Sequence, residues 1–164
     1  MKKLIPISLF AIAAFCGCGD DYIVDSIYPE YKIGAYYYES SSLKKTDTLY
    51  LMYKDYDLED SDKHYWEIIH CTYVNVSNGV KYIIGYKETD FWLSVVFDNK
   101  QFFYEQDSTA QKMTINEHTY KDVYKFFLND VDTAIVAHTF YISPKNGILK
   151  YQHDDNEYIL LTNK

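Results

Sequence analysis

Arginine is absent from this chain of 164 residues, and all sixteen basic side chains are lysines. A bidentate arginine clamp on a phosphate or carboxylate group is therefore excluded. Acidic residues number 24, so the formal net charge is −8. Because nucleic acids require basic patches, an acidic surface of this kind disfavours them as partners. We therefore expect no nucleic-acid partner.

Glycine and cysteine are also scarce, with six glycines and three cysteines in the whole chain. The sequence contains no phosphate-binding loop, dinucleotide fingerprint or nucleophile elbow, and its five histidines lack the spacing of a zinc site. We therefore predict a protein without catalytic residues and without a resident cofactor. Cys71 lies within a strand pattern, where a buried and inert thiol is the expected state.

No apolar run is long enough to span a bilayer. The run Leu4–Phe15 contains twelve residues and follows two lysines, whereas a spanning helix needs about 20 apolar residues. A short apolar run after a basic start is typical of a cleavable export signal. Since Leu4–Phe15 is followed by a cysteine, the segment resembles a bacterial lipoprotein signal.

In such signals a small residue precedes the cysteine that becomes lipidated. Gly17 before Cys18 fits this requirement, whereas Phe15 before Cys16 is too bulky. We predict lipidation at Cys18. The corresponding division of the chain is a signal peptide at 1–17, a tether at 18–29 and a single β domain at 30–164.

The residues after Cys18 add to this assignment. Gly19-Asp20-Asp21 resembles the acidic surface-export signal of Bacteroidota-type lipoproteins. The resemblance implies a bacterial outer-membrane protein whose membrane contact is its N-terminal lipid anchor, on either the periplasmic or the cell-surface face. Two or more acyl chains hold such a protein stably, because one chain alone binds weakly. Removal of 1–17 leaves 14 basic and 24 acidic side chains, a net charge of −10.

Four triplets match the O-glycosylation motif of that bacterial group, in which aspartate precedes serine or threonine and a small or aliphatic residue follows. They predict glycans on Ser26, Thr48, Ser108 and Thr133. Composition alone predicts roughly one such triplet by chance. The alternative is that these pairs are ordinary turn residues.

The rest of the chain predicts an all-β domain: an antiparallel meander of about ten strands that forms a barrel or a curved half-barrel. A two-sheet β-sandwich is the alternative. Trp66–Val76 and Val80–Tyr86 predict a hairpin around a turn that contains glycine. Gly85 predicts a bulge or bend, residues 105–111 could form one helical turn, and Ala134–Ile142 is a further strand.

The C-terminal part carries a second resemblance. Thr119–Tyr124 and Phe140–Tyr151 resemble the closing strands of lipocalin-like and lipoprotein-carrier-like β-barrel lipoproteins. The similarity covers roughly residues 112–162. It implies a pattern of strands and a glycine turn, and it implies no catalytic residues.

An acidic stretch suggests a metal site. It contains five carboxylates that we expect in one loop: Asp55, Asp57, Glu59, Asp60 and Asp62. Calcium prefers oxygen ligands of this kind. The EF-hand pattern is excluded, because Asp60 stands where that loop needs glycine. A looser calcium site and a solvated acidic hairpin tip remain as alternatives.

Aromatic residues are abundant, with 19 tyrosines and nine phenylalanines. They favour a non-catalytic binding or accessory module. It would hold a small apolar or glycan ligand in an aromatic concavity near Tyr36-Tyr37-Tyr38, or pack against an envelope partner protein. One alternative is a glycan-directed hydrolase with paired carboxylates. Another is a purely structural surface protein, without a pocket of about 300 Å³ or more.

Overall fold

The computed structural model of the chain describes residues 29, 31–61, 64–87, 90–107, 109–129 and 135–161, and the side chains of 56–67 lie outside that description. The predicted signal peptide, Cys18 and nearly all of the tether also lie outside it. Within these ranges, no helix has the length and hydrophobicity needed to cross a bilayer.

The described chain is all-β, which confirms the predicted fold class. Its strands are β1 (Gly34–Ser40), β2 (Thr46–Ser61), β3 (His64–Asn75), β4 (Lys81–Lys87), β5 (Asp90–Phe97), β6 (Lys100–Phe103), β7 (Glu105–Gln106), β8 (Gln111–Ile115), β9 (His118–Phe127), β10 (Thr139–Ser143), β11 (Gly147–His153) and β12 (Asn156–Leu160). The predicted helical turn at 105–111 is wrong, because this stretch contains β7 and the start of β8 instead.

All twelve strands belong to one antiparallel sheet. Its order is β6-β5-β4-β3-β2-β1-β12-β11-β10-β9-β7, and β8 also pairs with β9. The chain meanders from β1 to β6, and β12 pairs with β1, so that the first and last described strands are neighbours in the middle of the sheet. This sheet curls into a nearly closed barrel, and the two-sheet sandwich is therefore not formed.

The barrel has one seam, between β5 and β9. The segment from β6 to β7 runs along it: β6 pairs with β5, and β7 pairs with β9. Only Tyr104 separates the two strands, and its amide donates to the carbonyl of Leu93 in β5 (2.9 Å). Inside the barrel, the Phe91 ring packs edge-on against the rings of Tyr124 (5.1 Å) and Phe126 (5.2 Å). Aromatic packing thus joins β5 and β9, two strands that do not pair directly with each other.

Side-chain alternation decides which residues fill the barrel. In β4 and β5 the expected set, such as Tyr82, Ile84 and Leu93, is buried. In β3 the interior takes Ile69, Cys71, Tyr73 and Asn75. The sequence pattern predicts that one apolar face of this strand consists of Trp66, Ile68, His70, Thr72, Val74 and Val76. Among its members with described side chains in β3, Ile68, His70, Thr72 and Val74 lie on the outside of the barrel. Cys71 is a buried free thiol, as predicted, and burial raises its pKa.

The bulge or bend predicted at Gly85 is not formed, and a glycine is needed at this position for a different reason. The pairing of β4 with β3 and β5 runs through Gly85 without a register shift. Its partner in β5 is Trp92, and a Cβ on Gly85 would lie 2.2 Å from the indole ring. The glycine therefore makes room for an aromatic ring that lies flat across the strand.

The predicted strand Ala134–Ile142 is shorter in the structure, where β10 starts at Thr139. Side chains bind the backbone just before it: the amide of Ala137 donates to the Tyr82 hydroxyl (3.0 Å), and the Tyr104 hydroxyl donates to the Ala137 carbonyl (2.5 Å). Because the amide and the carbonyl of Ala137 already have hydrogen-bond partners, they do not need the backbone hydrogen bonds of a neighbouring strand.

Candidate functional site

A cup of about 680 Å³ opens at one end of the barrel. Four parts of the fold form it: the segment that leads into β1, the β8–β9 hairpin, the β10–β11 turn and the end of β12. Its described lining residues are Tyr31, Lys32, Tyr36, Asn116, His118, Tyr120, Lys145, Asn146, Leu160 and Leu161.

One wall of the cup is built from tyrosines that continue into the core. The Tyr31 hydroxyl is hydrogen-bonded to the Tyr86 hydroxyl (2.6 Å), and the rings of Tyr31 and Tyr36 both contact the buried ring of Tyr73 (6.0 and 5.9 Å between centroids). The Tyr36 hydroxyl donates to the Lys32 carbonyl (2.5 Å). The orientation of these rings is therefore fixed before any ligand binds, which lowers the entropic cost of binding.

A second part of the lining comes from the β8–β9 hairpin. The imidazole of His118 packs edge-on against the ring of Tyr120 (4.6 Å). Asn116 adopts a left-handed conformation (φ 48°), and its side-chain amide donates to the Leu160 carbonyl at the end of β12 (3.1 Å). This hydrogen bond connects the hairpin to the end of β12 and so restricts the movement of the hairpin relative to the barrel.

The β10–β11 turn completes the cup. Gly147 adopts a left-handed conformation (φ 77°), which a glycine tolerates without strain. The position of a Cβ on Gly147 would lie 2.5 Å from the Tyr73 hydroxyl and 3.3 Å from the Tyr31 ring. The turn can therefore lie directly on the tyrosine wall only because this residue has no side chain. The glycine turn expected between Phe140 and Tyr151 is confirmed.

Burial keeps the cup tyrosines protonated to a higher pH than an exposed tyrosine. Loss of solvation raises the pKa of Tyr31 well above its ordinary value of 10.0, and it also raises the pKa of Tyr36 and of Tyr120. These hydroxyls are therefore neutral at physiological pH. They can donate and accept hydrogen bonds, and their rings offer apolar faces.

We expected an aromatic concavity near Tyr36-Tyr37-Tyr38, and only one of these three tyrosines lines the cup. Tyr36 lines the cup, but Tyr37 is 46% exposed on the outside of the barrel, and Tyr38 is fully buried with its hydroxyl bonded to the Ile148 carbonyl (2.9 Å). Strand alternation sends neighbouring side chains to opposite faces, and the bonding of Tyr38 removes it from the cup. Sequence reasoning missed the other lining residues, because they are far apart in the chain and share no motif.

The acidic stretch is not the single loop that we expected, and calcium binding by it stays a prediction. Asp55, Asp57, Glu59 and Asp60 lie within strand β2, which continues to Ser61, so they do not form a loop that could wrap around a cation. Asp55 is exposed. The side chains of Asp57, Glu59 and Asp60 lie outside the description, as does all of Asp62. The described residues contain no group of three or more His, Cys, Asp or Glu side chains that could hold a metal ion.

Of the four predicted glycosylation sites, only Thr48 lies within the described residues. It is half-buried in β2, next to the fully buried Leu49. Its preceding residue, Asp47, accepts hydrogen bonds from the Thr48 amide (2.8 Å), the Asn75 side chain (2.8 Å) and the Tyr151 hydroxyl (2.6 Å). Asp47 therefore has a structural role in joining β2, β3 and β11. Ser26, Ser108 and Thr133 lie outside the description, and glycosylation stays a prediction.

The outer face of the meander is unusually aromatic. Tyr50, Met52, Tyr53 and Phe103 are between 41% and 60% exposed there. Thr72 and Ser94 lie on the same face, yet they are 2% and 0% exposed. Large side chains on neighbouring strands thus cover small polar ones, which is a common way to complete a one-sided sheet.

Comparison of the chain with protein-family models, with curated proteins and with solved structures gives no match. The cup is therefore interpreted from its own geometry.

Proposed function

We propose that this protein is a lipid-anchored lipoprotein of the bacterial cell envelope whose barrel binds a glycan, without catalysis, in the cup at its open end. The observation that carries the proposal is the combination of rigid tyrosine walls with amide and ammonium groups in one concavity. Sugars have apolar ring faces and polar edges, so a site for them needs both kinds of group.

Two features favour a glycan over a long apolar ligand. The barrel interior is occupied by large side chains such as Tyr38, Tyr73, Phe126 and Phe140, which leave the acyl chain of a lipid no path inward. The cup itself is open, and half of its described lining residues are polar: Lys32, Asn116, His118, Lys145 and Asn146. A ligand there keeps one side in water, as a surface glycan does.

The hydrolase alternative is less well supported by this site. Glycoside hydrolysis by the usual route needs two carboxylates that flank the scissile bond. The described lining of the cup includes no carboxylate. The purely structural alternative predicts no pocket above about 300 Å³, and the cup is larger than this.

Isothermal titration of oligosaccharides into the full-length lipidated protein in detergent tests the proposal. The probes are maltohexaose, hexagalacturonate and, as the apolar competitor, palmitate. Tyr36→Ala together with Tyr120→Ala should weaken saccharide binding about tenfold, because each ring contact contributes about 0.5–1.5 kcal/mol.

Tyr37→Ala is the matched control, since Tyr37 is the neighbour of Tyr36 and lies on the outer face. It should leave the affinity unchanged. Circular dichroism verifies that both variants fold. Binding of palmitate alone, or equal loss of affinity in Tyr37→Ala, would contradict a glycan site in the cup.

A further inference from the structure

Exposed apolar side chains are concentrated on one part of the outer barrel surface. The structure describes nine large hydrophobic residues that are between 41% and 64% exposed, and six of the nine lie on or next to the adjacent strands β1, β2 and β3. These six residues form the β1–β3 patch: Ile33, Tyr37, Tyr50, Met52, Tyr53 and Val76. A concentration of exposed apolar area in one place is typical of a contact surface.

Strand pairing places the members of the β1–β3 patch side by side. Tyr50 pairs with Ala35 in β1 and with Val74 in β3, so it lies at the centre of the three strands. Tyr37 follows Ala35 by two residues and therefore faces the same side of β1. Because adjacent strands lie about 4.8 Å apart, the three strands cover a width of only about 10 Å. The barrel curves little over this width, and a flat surface can contact the patch.

The β1–β3 patch is uncharged on a protein with 24 acidic and 16 basic side chains. The residues that share its outward face on the three strands are also uncharged: Ala35, Thr48, Thr72 and Val74. Farther along the same face come Glu39 in β1 and Asp55 in β2, which are both exposed. Since burial of a charge is costly, an uncharged surface can leave water at a much lower cost than the rest of the protein.

The chain enters the barrel beside this patch. The ammonium group of Lys54, the residue that follows Tyr53, donates to the Pro29 carbonyl (3.0 Å), and Ile33 is four residues after Pro29. Pro29 is in turn eleven residues after Cys18, and a chain of this length reaches at most about 40 Å. A lipid anchor on Cys18 therefore keeps the patch close to a bilayer, and contact with that bilayer becomes an intramolecular step at high effective concentration.

From this placement we infer that the β1–β3 patch is a membrane-docking surface, which contacts the phospholipid interface of the bilayer that holds the anchor. The inference rests on the lipid anchor of the proposed function and adds an orientation to it. Tyrosine suits this interface because its ring is apolar and its hydroxyl can stay among the headgroups. Since the patch is uncharged and the protein is acidic, docking requires no anionic lipid.

Docking in this orientation leaves the cup open. Tyr36 lines the cup, whereas its neighbour Tyr37 lies on the outside of the barrel. Successive residues of β1 thus face the ligand site and the membrane, respectively.

The inference excludes one of the four predicted glycans. Thr48 pairs with Tyr37, and its carbonyl accepts a hydrogen bond from the Val76 amide (2.9 Å), so Thr48 lies within the patch. A glycan there would hold the patch away from a bilayer. Peptide mass spectrometry of the native protein should therefore find Thr48 unmodified, and a glycan on Thr48 would overturn the inference.

Hydroxyl-radical footprinting of the full-length lipidated protein in phosphatidylcholine vesicles tests the docking. The reference is Cys18→Ala in buffer without vesicles, where the patch is in contact with water. Oxidation of Tyr37, Tyr50 and Met52 should be about tenfold lower in the vesicles, which corresponds to about 1.4 kcal/mol in favour of the docked state. Phe103, an exposed residue of β6 outside the patch, should react equally in both samples.

A pair of variants separates the patch from the anchor. Tyr50→Ser/Met52→Ser removes the centre of the patch, so oxidation of Tyr37 in vesicles should rise to the reference level while the lipid mass is retained. Phe103→Ser is the matched control, since it removes an exposed aromatic residue elsewhere on the meander, and it should leave the protection of Tyr37 unchanged. Circular dichroism verifies that both variants fold.

The remaining outcomes distinguish the inference from the function on which it rests. If the protein carries its lipid mass and the patch is oxidised equally in both samples, the membrane contact is disproved and the anchor is retained. Protection that appears only when more protein molecules are added per vesicle would assign the patch to a second copy of the chain and also overturn the inference. If the native protein carries no lipid mass, both the proposed anchor and the inference fail.

Discussion

The hydroxyl groups of Tyr31 and Tyr86 lie 2.6 Å apart and form a hydrogen bond across the barrel interior. Tyr31 is a wall of the cup, and Tyr86 is a buried residue of β4 whose ring stacks on Phe91 (6.0 Å). Phe91 in turn packs against Phe126 at the seam. A continuous line of aromatic contacts therefore leads from the cup to the place where the barrel closes.

The first prediction concerns this bond. Tyr86→Phe should lower the free energy of unfolding by about 1 kcal/mol, because it leaves the buried Tyr31 hydroxyl with one partner fewer. Urea denaturation measures this change. Tyr37→Phe, which alters an exposed tyrosine, should change stability by less than about 0.5 kcal/mol. Equal effects of the two substitutions would show that the bond contributes nothing.

The second prediction compares two fully buried tyrosines. In the described part of the chain the Tyr73 hydroxyl has no hydrogen-bond partner, whereas the Tyr38 hydroxyl donates to the Ile148 carbonyl (2.9 Å). Tyr73→Phe removes a desolvated polar group and should leave stability unchanged or raise it by up to about 1 kcal/mol. Tyr38→Phe should lower it by about 1 kcal/mol. A larger loss in Tyr73→Phe than in Tyr38→Phe, in chemical denaturation, would contradict the assigned bonding.

The third prediction is a loss of stability at alkaline pH. Burial raises the pKa of Tyr82 to about 12 and raises the pKa values of several other core tyrosines above their ordinary value of 10.0. A tyrosine with a higher pKa in the folded state keeps its proton more tightly there than in the unfolded chain. Its contribution to stability is therefore fully present below pH 10 and is lost as the pH rises toward the folded-state pKa.

Each such tyrosine lowers the free energy of unfolding by up to about 1.4 kcal/mol per pH unit within that window. Unfolding curves recorded from neutral to strongly alkaline pH measure the slope, and tyrosinate absorbance should rise together with unfolding. Replacement of Tyr82 by phenylalanine should make the slope shallower. If the free energy of unfolding did not depend on pH above 10, the raised pKa values of the buried tyrosines would be disproved.

The fourth prediction concerns the contact between Gly85 and Trp92. Gly85→Ala should destabilise the protein by about 1–3 kcal/mol, because its Cβ would overlap the indole ring. In a Trp92→Leu background the ring is absent, so the same alanine should be neutral or stabilising through reduced flexibility of the unfolded chain. A double-mutant cycle measures the coupling. Additive effects of the two substitutions would contradict the contact.

The fifth prediction concerns the lipid anchor at Cys18 and the membrane location of the protein. In a bacterium that processes lipoproteins, the mature protein should begin at Cys18 and carry a diacylglyceryl or triacyl mass, because several acyl chains are needed for stable anchoring. Cys18→Ala should lose this mass and leave the membrane fraction, whereas Cys16→Ala should retain both properties. Intact-protein mass spectrometry distinguishes the variants. If the Cys18→Ala variant still carried a lipid mass, the lipidated residue would not be Cys18.

Much of the strand pattern could be predicted from the sequence. In β4 and β5, apolar residues alternate with polar ones, and a period of two is enough to identify both the strand and its buried face. The turns at Gly79 and Gly147 were also recognisable, because the backbone there has φ values of 75° and 77° that favour glycine. The buried state of Cys71 follows from the same pattern.

Prediction failed where both faces of a strand are apolar. In β3 the alternating sets that contain His70 and Cys71 are both rich in apolar residues, so composition could not identify the inner one. A register shift between Leu51 and Tyr53 in the neighbouring β2 also changes which residues pair. Local pattern carries no information about such a shift.

By itself, the sequence determined an all-β meander with a turn at each expected glycine and an acidic composition without arginine. These properties follow from the types of residue present, from the alternation of side chains along a strand and from turns of a few residues. Only the tertiary structure decided that the sheet nearly closes, that β12 pairs with β1, and that Lys32, His118 and Lys145 line one cup. The physical reason is distance along the chain: curvature and register accumulate over many strands, and they bring together residues that no local pattern connects.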